Sequence, residues 1–126
     1  MFIIGNMYER KKISEQIGGG TVTYLPTKSG IVVAACLTTK KNPQAPNVIL
    51  CGTGENIAAA GETLADLRPA IPVFVRRAPK RWEYVGIYRP VASYTSGPEF
   101  ESRITGSGRD RSDISRVIVM ALVAKT

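Results

Sequence analysis

Ile71-Pro72-Val73-Phe74-Val75-Arg76-Arg77-Ala78-Pro79-Lys80-Arg81-Trp82-Glu83-Tyr84-Val85-Gly86-Ile87-Tyr88-Arg89-Pro90 is the stretch on which the reading of this chain turns. It carries five basic residues (Arg76, Arg77, Lys80, Arg81 and Arg89), one acid, Glu83, and three large aromatics with polar edges, Trp82, Tyr84 and Tyr88. β-Branched and aromatic residues dominate both halves, so residues 71–77 and 82–94 read as strands joined by the turn Ala78-Pro79-Lys80-Arg81. Clustered cations attract phosphate, and aromatic faces stack on bases. Strand alternation places Trp82, Tyr84, Gly86 and Tyr88 on one face and Glu83, Val85 and Ile87 on the other. The Val85 and Ile87 side is then the core side. Gly86, without a side chain, opens a slot between Tyr84 and Tyr88 that suits a flat ligand such as a base. Period alone fits a strand buried on both faces equally well; the neighbouring cations favour the slot.

Working outward, residues 8–17 read as a helix, with Tyr8, Ile13 and Ile17 near one face. Gly18-Gly19-Gly20 stops it, because consecutive glycines lose too much backbone freedom in a helix. Residues 21–25 read as a strand or extended arm ending at Pro26, residues 27–30 as a turn, and residues 31–37 as a buried strand. A polar loop with Pro43 and Pro46 leads to a second buried strand at 48–51. A helix follows over 55–67 and ends at Pro69. Beyond the opening stretch, a short helix opens at Pro98 within a segment rich in Gly, Ser and charge, and residues 115–124 form a last strand. This order, helix, strands, helix and then mostly strands, predicts an α+β fold. A small, strongly curved sheet or barrel is expected, with two or three helices at its sides.

The 126 residues fit one domain, taken as 1–126, with no repeat or linker. Seventeen Lys and Arg against ten Asp and Glu give a net charge of +7, which points to nucleic acid or an anionic membrane surface. No apolar run reaches the roughly 18 residues of a membrane span, and residues 1–6 lack the basic start of a signal peptide. Cys36 and Cys51 stand singly in apolar runs and read as buried thiols of a reduced, cytoplasmic compartment. The chain has no histidine, which removes Ser-His-Asp and Cys-His catalysis, the common zinc sites and the usual general base. No catalysis, metal or cofactor is expected.

Other motifs are weaker. Gly52-Thr53-Gly54 follows a strand and opens a helix, but Ile57 stands where a dinucleotide site has its third glycine, so helix-start packing explains it. Gly18-Gly19-Gly20 lacks the Lys-Ser/Thr ending of a phosphate loop and reads as a hinge or a close backbone approach beside Tyr24. Asp110 and Asp113 alternate with Arg109 and Arg111 in a solvated, charge-mixed loop. Lys11-Lys12 and Lys40-Lys41 add to the overall field.

Pro72-Val73-Phe74-Val75-Arg76-Arg77 followed by Tyr84-Val85-Gly86-Ile87-Tyr88-Arg89 resembles the SRA (SET- and RING-associated, or YDG) domain of the PUA-like superfamily. Tyr8-x-Arg10, Gly18-Gly19-Gly20, Tyr24-Leu25-Pro26 and Asn42-Pro43-x-Ala45-Pro46 are similar to bacterial SRA-like modules associated with HNH nucleases of modification-dependent restriction. The resemblance implies a curved PUA-like barrel that flips a modified cytosine from duplex DNA and stacks it between rings. On that reading Tyr88 stacks on the base, with Tyr84, Trp82, Gly86 and Tyr24 completing the pocket. Arg76, Arg77, Lys80, Arg81, Arg10, Arg109 and Arg111 hold phosphates. The departure is Val85, where the family has aspartate. The implied partner is double-stranded DNA with a modified base, and cleavage would belong to a fused or separate HNH nuclease. The rival readings are a PUA-like RNA-binding module, a small nucleotide-acting enzyme and an accessory protein with an acidic partner.

Overall fold

A computed structural model describes residues 1–125. The chain runs β1 (Met7–Tyr8), α1 (Arg10–Ile17), β2 (Thr27–Lys28), β3 (Ile31–Val32), β4 (Ala35–Thr38) and β5 (Val48–Cys51). It continues through α2 (Glu55–Leu67), β6 (Ile71–Ala78), β7 (Arg81–Tyr94), α3 (Pro98–Ile104), a 3-10 turn (Arg111–Asp113) and β8 (Arg116–Ala124). The main sheet has the order β4-β6-β7-β8-β5, with β1 added to β7, while β2 and β3 form a separate hairpin. The β4–β6 pair is parallel and the other pairs are antiparallel. The curved α+β sheet flanked by helices agrees with the sequence expectation.

Consecutive strands β4 and β5 lie at opposite ends of that order, so the sheet must curl to bring its ends together. Asn42 shows how close they come. Its Nδ2 donates to the Thr38 carbonyl of β4 at 3.4 Å, and its Oδ1 accepts from the Leu50 N–H of β5 at 2.9 Å. One buried amide thus touches both edges in place of a ladder.

Curling divides the apolar residues into an inside and two outside layers. The inner core joins Leu37, Val73, Tyr88, Ile118, Ile49 and Leu64 of α2. Outside, α1 and the N-terminal segment cover Phe74, Tyr84 and Trp82, while α3 covers Val48, Leu50 and Val117. Beyond Val119, β8 pairs with β7 alone, and Leu122 and Val123 on that stretch are exposed.

One expectation fails locally, and of the two readings of residues 21–25 the arm is the one found. The run 31–37 is split, with Val33 N–H donating to the Pro26 carbonyl and Cys36 N–H to the Tyr24 carbonyl, because the preceding arm lies alongside. Residues 21–25 accordingly form an irregular arm rather than a strand. The triple glycine lets this arm turn back closely: a Cβ on Gly19, at φ +80°, would lie 2.7 Å from the Pro26 side chain.

The larger correction concerns β7. Val73 pairs with Gly86 but Phe74 pairs with Tyr84, leaving Val85 as an extra residue, a β-bulge. Val73 and Phe74 point to opposite faces, so their partners do as well. Tyr88 therefore packs in the inner core, whereas Tyr84 and Trp82 belong to the outer layer with Phe74. The expected slot between Tyr84 and Tyr88 does not form. At Gly86 a Cβ would meet Leu122 at 3.0 Å and the Ala124 carbonyl at 3.1 Å, so β8 fills the space.

Both cysteines are free and buried, as the sequence suggested. Burial pushes each thiol from an ordinary 9.0 up to about 11, against the charge of Arg10 at Cys36 and the Tyr24 hydrogen bond at Cys51. The unfolded chain ionises first as pH rises. The resulting stability is full below 9.0 and is lost as pH climbs through about 11. Native protein near neutral pH should resist a thiol-specific reagent, and urea should expose both groups together; rapid labelling of the folded chain would contradict their placement. Asn42→Ala should lower stability by about 1–3 kcal/mol, because the Leu50 amide loses its acceptor in a buried seam. Urea unfolding measures this, with an unchanged midpoint as the adverse result.

Candidate nucleic-acid interface

The sheet seam leaves a cavity of about 300 Å³. Cys36 and Thr38 contribute from β4, Leu50 from β5 and Trp82 from β7. The arm supplies Val22, Thr23 and Tyr24, and Gly52 and Ile57 border it beside the start of α2. Lys41, Asn42 and Arg109 complete the lining, and among the described residues its charged side chains are cationic. The volume lies at the small end of ligand pockets, about 300–1,000 Å³, which fits a ligand of one or two rings.

Trp82 and Tyr24 are fixed by separate devices. Trp82 sits in a cross-strand row Thr38, Arg76, Trp82 and Tyr8 on the outer face. It is 9% exposed and lines the cavity. Tyr24 Oη donates to the Ile57 carbonyl at 2.6 Å, tying the arm to the first turn of α2. Burial, then the neighbouring Cys51, pushes the Tyr24 phenol well above its usual range, so it stays a neutral donor.

The predicted phosphate-binding cations separate into two groups. Arg76 is exposed, makes no hydrogen bond or ion pair among the described residues, and stands between Thr38 and Trp82 in the outer row. Thr38 lines both the cavity and a shallow groove with Lys40, Arg76 and Arg77, so the basic surface is continuous with the cavity mouth. Lys80 and Arg81 are exposed at the adjoining β6–β7 turn. Arg109 lines the cavity and donates from Nη1 to the Lys41 carbonyl at 2.8 Å.

Other cations are already engaged. Arg77 Nε bonds the Glu83 carboxylate at 2.7 Å. Arg111 bonds Glu101 at 2.6 Å and lies over the Phe100 ring, on the α3 side. Arg10 spends its guanidinium on the protein's own backbone, with Nη2 donating to the Gly20 and Thr23 carbonyls. Arg10 is thereby corrected from a phosphate ligand to a structural cation, whereas Arg77 and Arg111, 44% and 64% exposed, each carry one ion pair at the surface.

Of the predicted base-binding residues, the structure brings Tyr24 and Trp82 to one cavity and leaves Tyr84, Gly86 and Tyr88 outside it. Tyr88 is 8% exposed among inner-core side chains, and Tyr84 packs at 5.3 Å from the Phe74 ring. Cys36, Thr38, Lys41 and Asn42 were not singled out as site residues. Nothing in residues 36–42 read alone distinguishes a cavity wall from a strand and its loop. Among the described residues there is no group of three or more His, Cys, Asp or Glu side chains placed to hold a metal, and no helix is long and apolar enough to cross a membrane.

Among solved structures, the chain is similar to the SRA domain of SUVH5 in its crystal structure with hemi-methylated CG DNA. The TM-score is 0.64 at 10% identity, over 96% of this chain and 88% of that one. At that identity the likeness shows an SRA-like fold. No curated protein matches. A family model described as "Domain of unknown function (DUF6697)" matches residues 7–102. That span is most of the chain and includes the arm, the seam and the β6–β7 pair, so the chain belongs to the DUF6697 family.

Proposed function

We propose that this chain is a single DNA-binding module that receives an extrahelical modified base in the seam cavity. Trp82 and Tyr24 offer the stacking faces, and Arg76, Lys80, Arg81 and Arg109 hold the flanking phosphates. The observation that carries this reading is the cavity between Trp82 and the Tyr24 arm, with an unpaired arginine on the same row of the sheet. The SUVH5 SRA domain, crystallised with hemi-methylated CG DNA, supports DNA as the partner. A cytosine mark in modification-dependent restriction, with cleavage by an HNH nuclease domain or partner, completes the proposal. The chain itself is a reader without a catalytic step.

Extrusion of a base costs a few kcal/mol and aromatic stacking returns about 1–3 kcal/mol per base. Discrimination therefore depends on the ring that stacks and on the fit of the modified group. Matched duplexes with unmodified, methylated, hydroxymethylated and glucosylated cytosine, and a single-stranded RNA, should be compared by fluorescence anisotropy at two salt concentrations. One modified duplex is expected to bind best. Trp82→Ala should remove that preference, with a loss of about 1–3 kcal/mol on the preferred duplex alone. It should also lower stability by about 3–5 kcal/mol, because the ring packs with Phe74 and Ile13. Arg76→Ala should weaken all duplexes alike and reduce the salt slope by about one. Equal affinity for every duplex would reject base reading, and tighter binding of the RNA would reject a duplex partner.

Tyr88→Ala should act on stability alone. It should lower stability by about 3–5 kcal/mol, as for other large aromatics removed from a core, when followed by urea unfolding. A stable Tyr88→Ala protein that has lost base preference would return Tyr88 to the pocket.

A further inference from the structure

Arg10 occupies the first position of α1, where the helix dipole favours an anion rather than a cation. Local helix energetics therefore do not explain it. Its side chain instead makes three contacts away from the helix. Nη2 donates to the Thr23 carbonyl at 2.8 Å and to the Gly20 carbonyl at 3.1 Å. The guanidinium carbon lies 5.3 Å from the centre of the Trp82 ring. Cys36, on the cavity wall, also feels its charge.

The Arg10 Nε is buried and has no hydrogen-bond partner. Leaving a buried donor unmatched is unfavourable, so the group is not oriented to satisfy all of its own hydrogen bonds. Its orientation follows from the arm carbonyls and the indole face. Few other contacts hold the arm between the triple glycine and Tyr24: Val22 is 87% exposed. One guanidinium nitrogen donates to both carbonyls while the planar group lies over the ring, and a lysine ammonium, with no plane to lay on the ring, keeps at most the carbonyl bonds.

We infer that Arg10 is a positioning residue that clamps the Gly20–Thr23 arm against Trp82 and so sets the width of the seam cavity. Its part in recognition rests on the function proposed above; its part in holding the arm does not. Arg10 acts through Trp82 and the arm, without touching the DNA backbone.

Arg10→Lys in the full chain tests this, since it keeps the charge and loses the planar group over the indole. Amide hydrogen exchange at Cys36, whose N–H donates to the Tyr24 carbonyl of the arm, should accelerate about tenfold, while exchange in β6 and β7 stays as in the unmutated protein. The affinity ratio between preferred and unmodified duplexes should fall about tenfold, equivalent to about 1.4 kcal/mol, with affinity for the unmodified duplex retained. Unchanged exchange at the Cys36 amide would overturn the inference. So would equal weakening on both duplexes at an unchanged ratio, which would make Arg10 a phosphate contact.

If the unmutated protein does not distinguish the duplexes, the proposed function fails, and the exchange measurement still decides the clamp. Should the lysine variant not fold, nitrogen-edited NMR of the unmutated protein gives the answer. One arginine Nε–H should be protected from exchange and shifted by an indole ring current. The absence of such a signal would refute the clamp.

Discussion

The Asn42 carboxamide is the link on which the curved sheet depends. A ladder would have joined β4 and β5 through repeated backbone pairs; here one side chain donates to the first edge and accepts from the second. An amide is suited to this because it carries donor and acceptor on one planar group. The edges are held near each other without being paired, and the unpaired interval is where the cavity lies. The same seam positions the 39–47 loop, whose Lys41 carbonyl receives Arg109 from the far end of the chain. Closure, cavity and cationic rim therefore meet at one seam.

A second constraint acts at Val85. By inserting one residue into β7, the bulge lets a single strand serve two layers, sending Tyr88 inward and Tyr84 with Trp82 outward. Val85 packs against the inner core, where an ionised carboxylate would be costly to bury. In this fold that position faces away from the seam cavity.

Long regular elements were legible in the sequence. Helix 55–67, strand 48–51 and the strands of residues 71–94 follow from periodicity, glycine and proline, because local pattern and tertiary burial agree there. The short α3 opened at Pro98 for the same reason. The arm was less readable: Thr21-Val22-Thr23 has strand propensity, yet the Thr23 carbonyl, like that of Gly20 before it, is taken by Arg10 rather than by a neighbouring strand. Site residues were the least legible. A one-residue bulge reverses every alternation argument beyond it and leaves no mark in composition. Whether an arginine is free depends on distant acceptors, Glu83 for Arg77 and Glu101 for Arg111, rather than on its neighbours in sequence. Arg10 did carry a signal, a cation in the first turn of a helix, and it shows its value only beside Trp82.

The last part of β8 has a consequence for how copies of the molecule coexist. Beyond Val119 it has β7 on one side and no strand on the other, with Leu122 and Val123 exposed. An open edge of this kind is a template on which another chain can add a strand. The net charge of +7 opposes such approach by mutual repulsion in dilute solution. A polyanion that neutralises the basic surface removes that repulsion while crowding copies together. Colloidal stability and nucleic-acid affinity thus draw on the same charges, and strong screening weakens both.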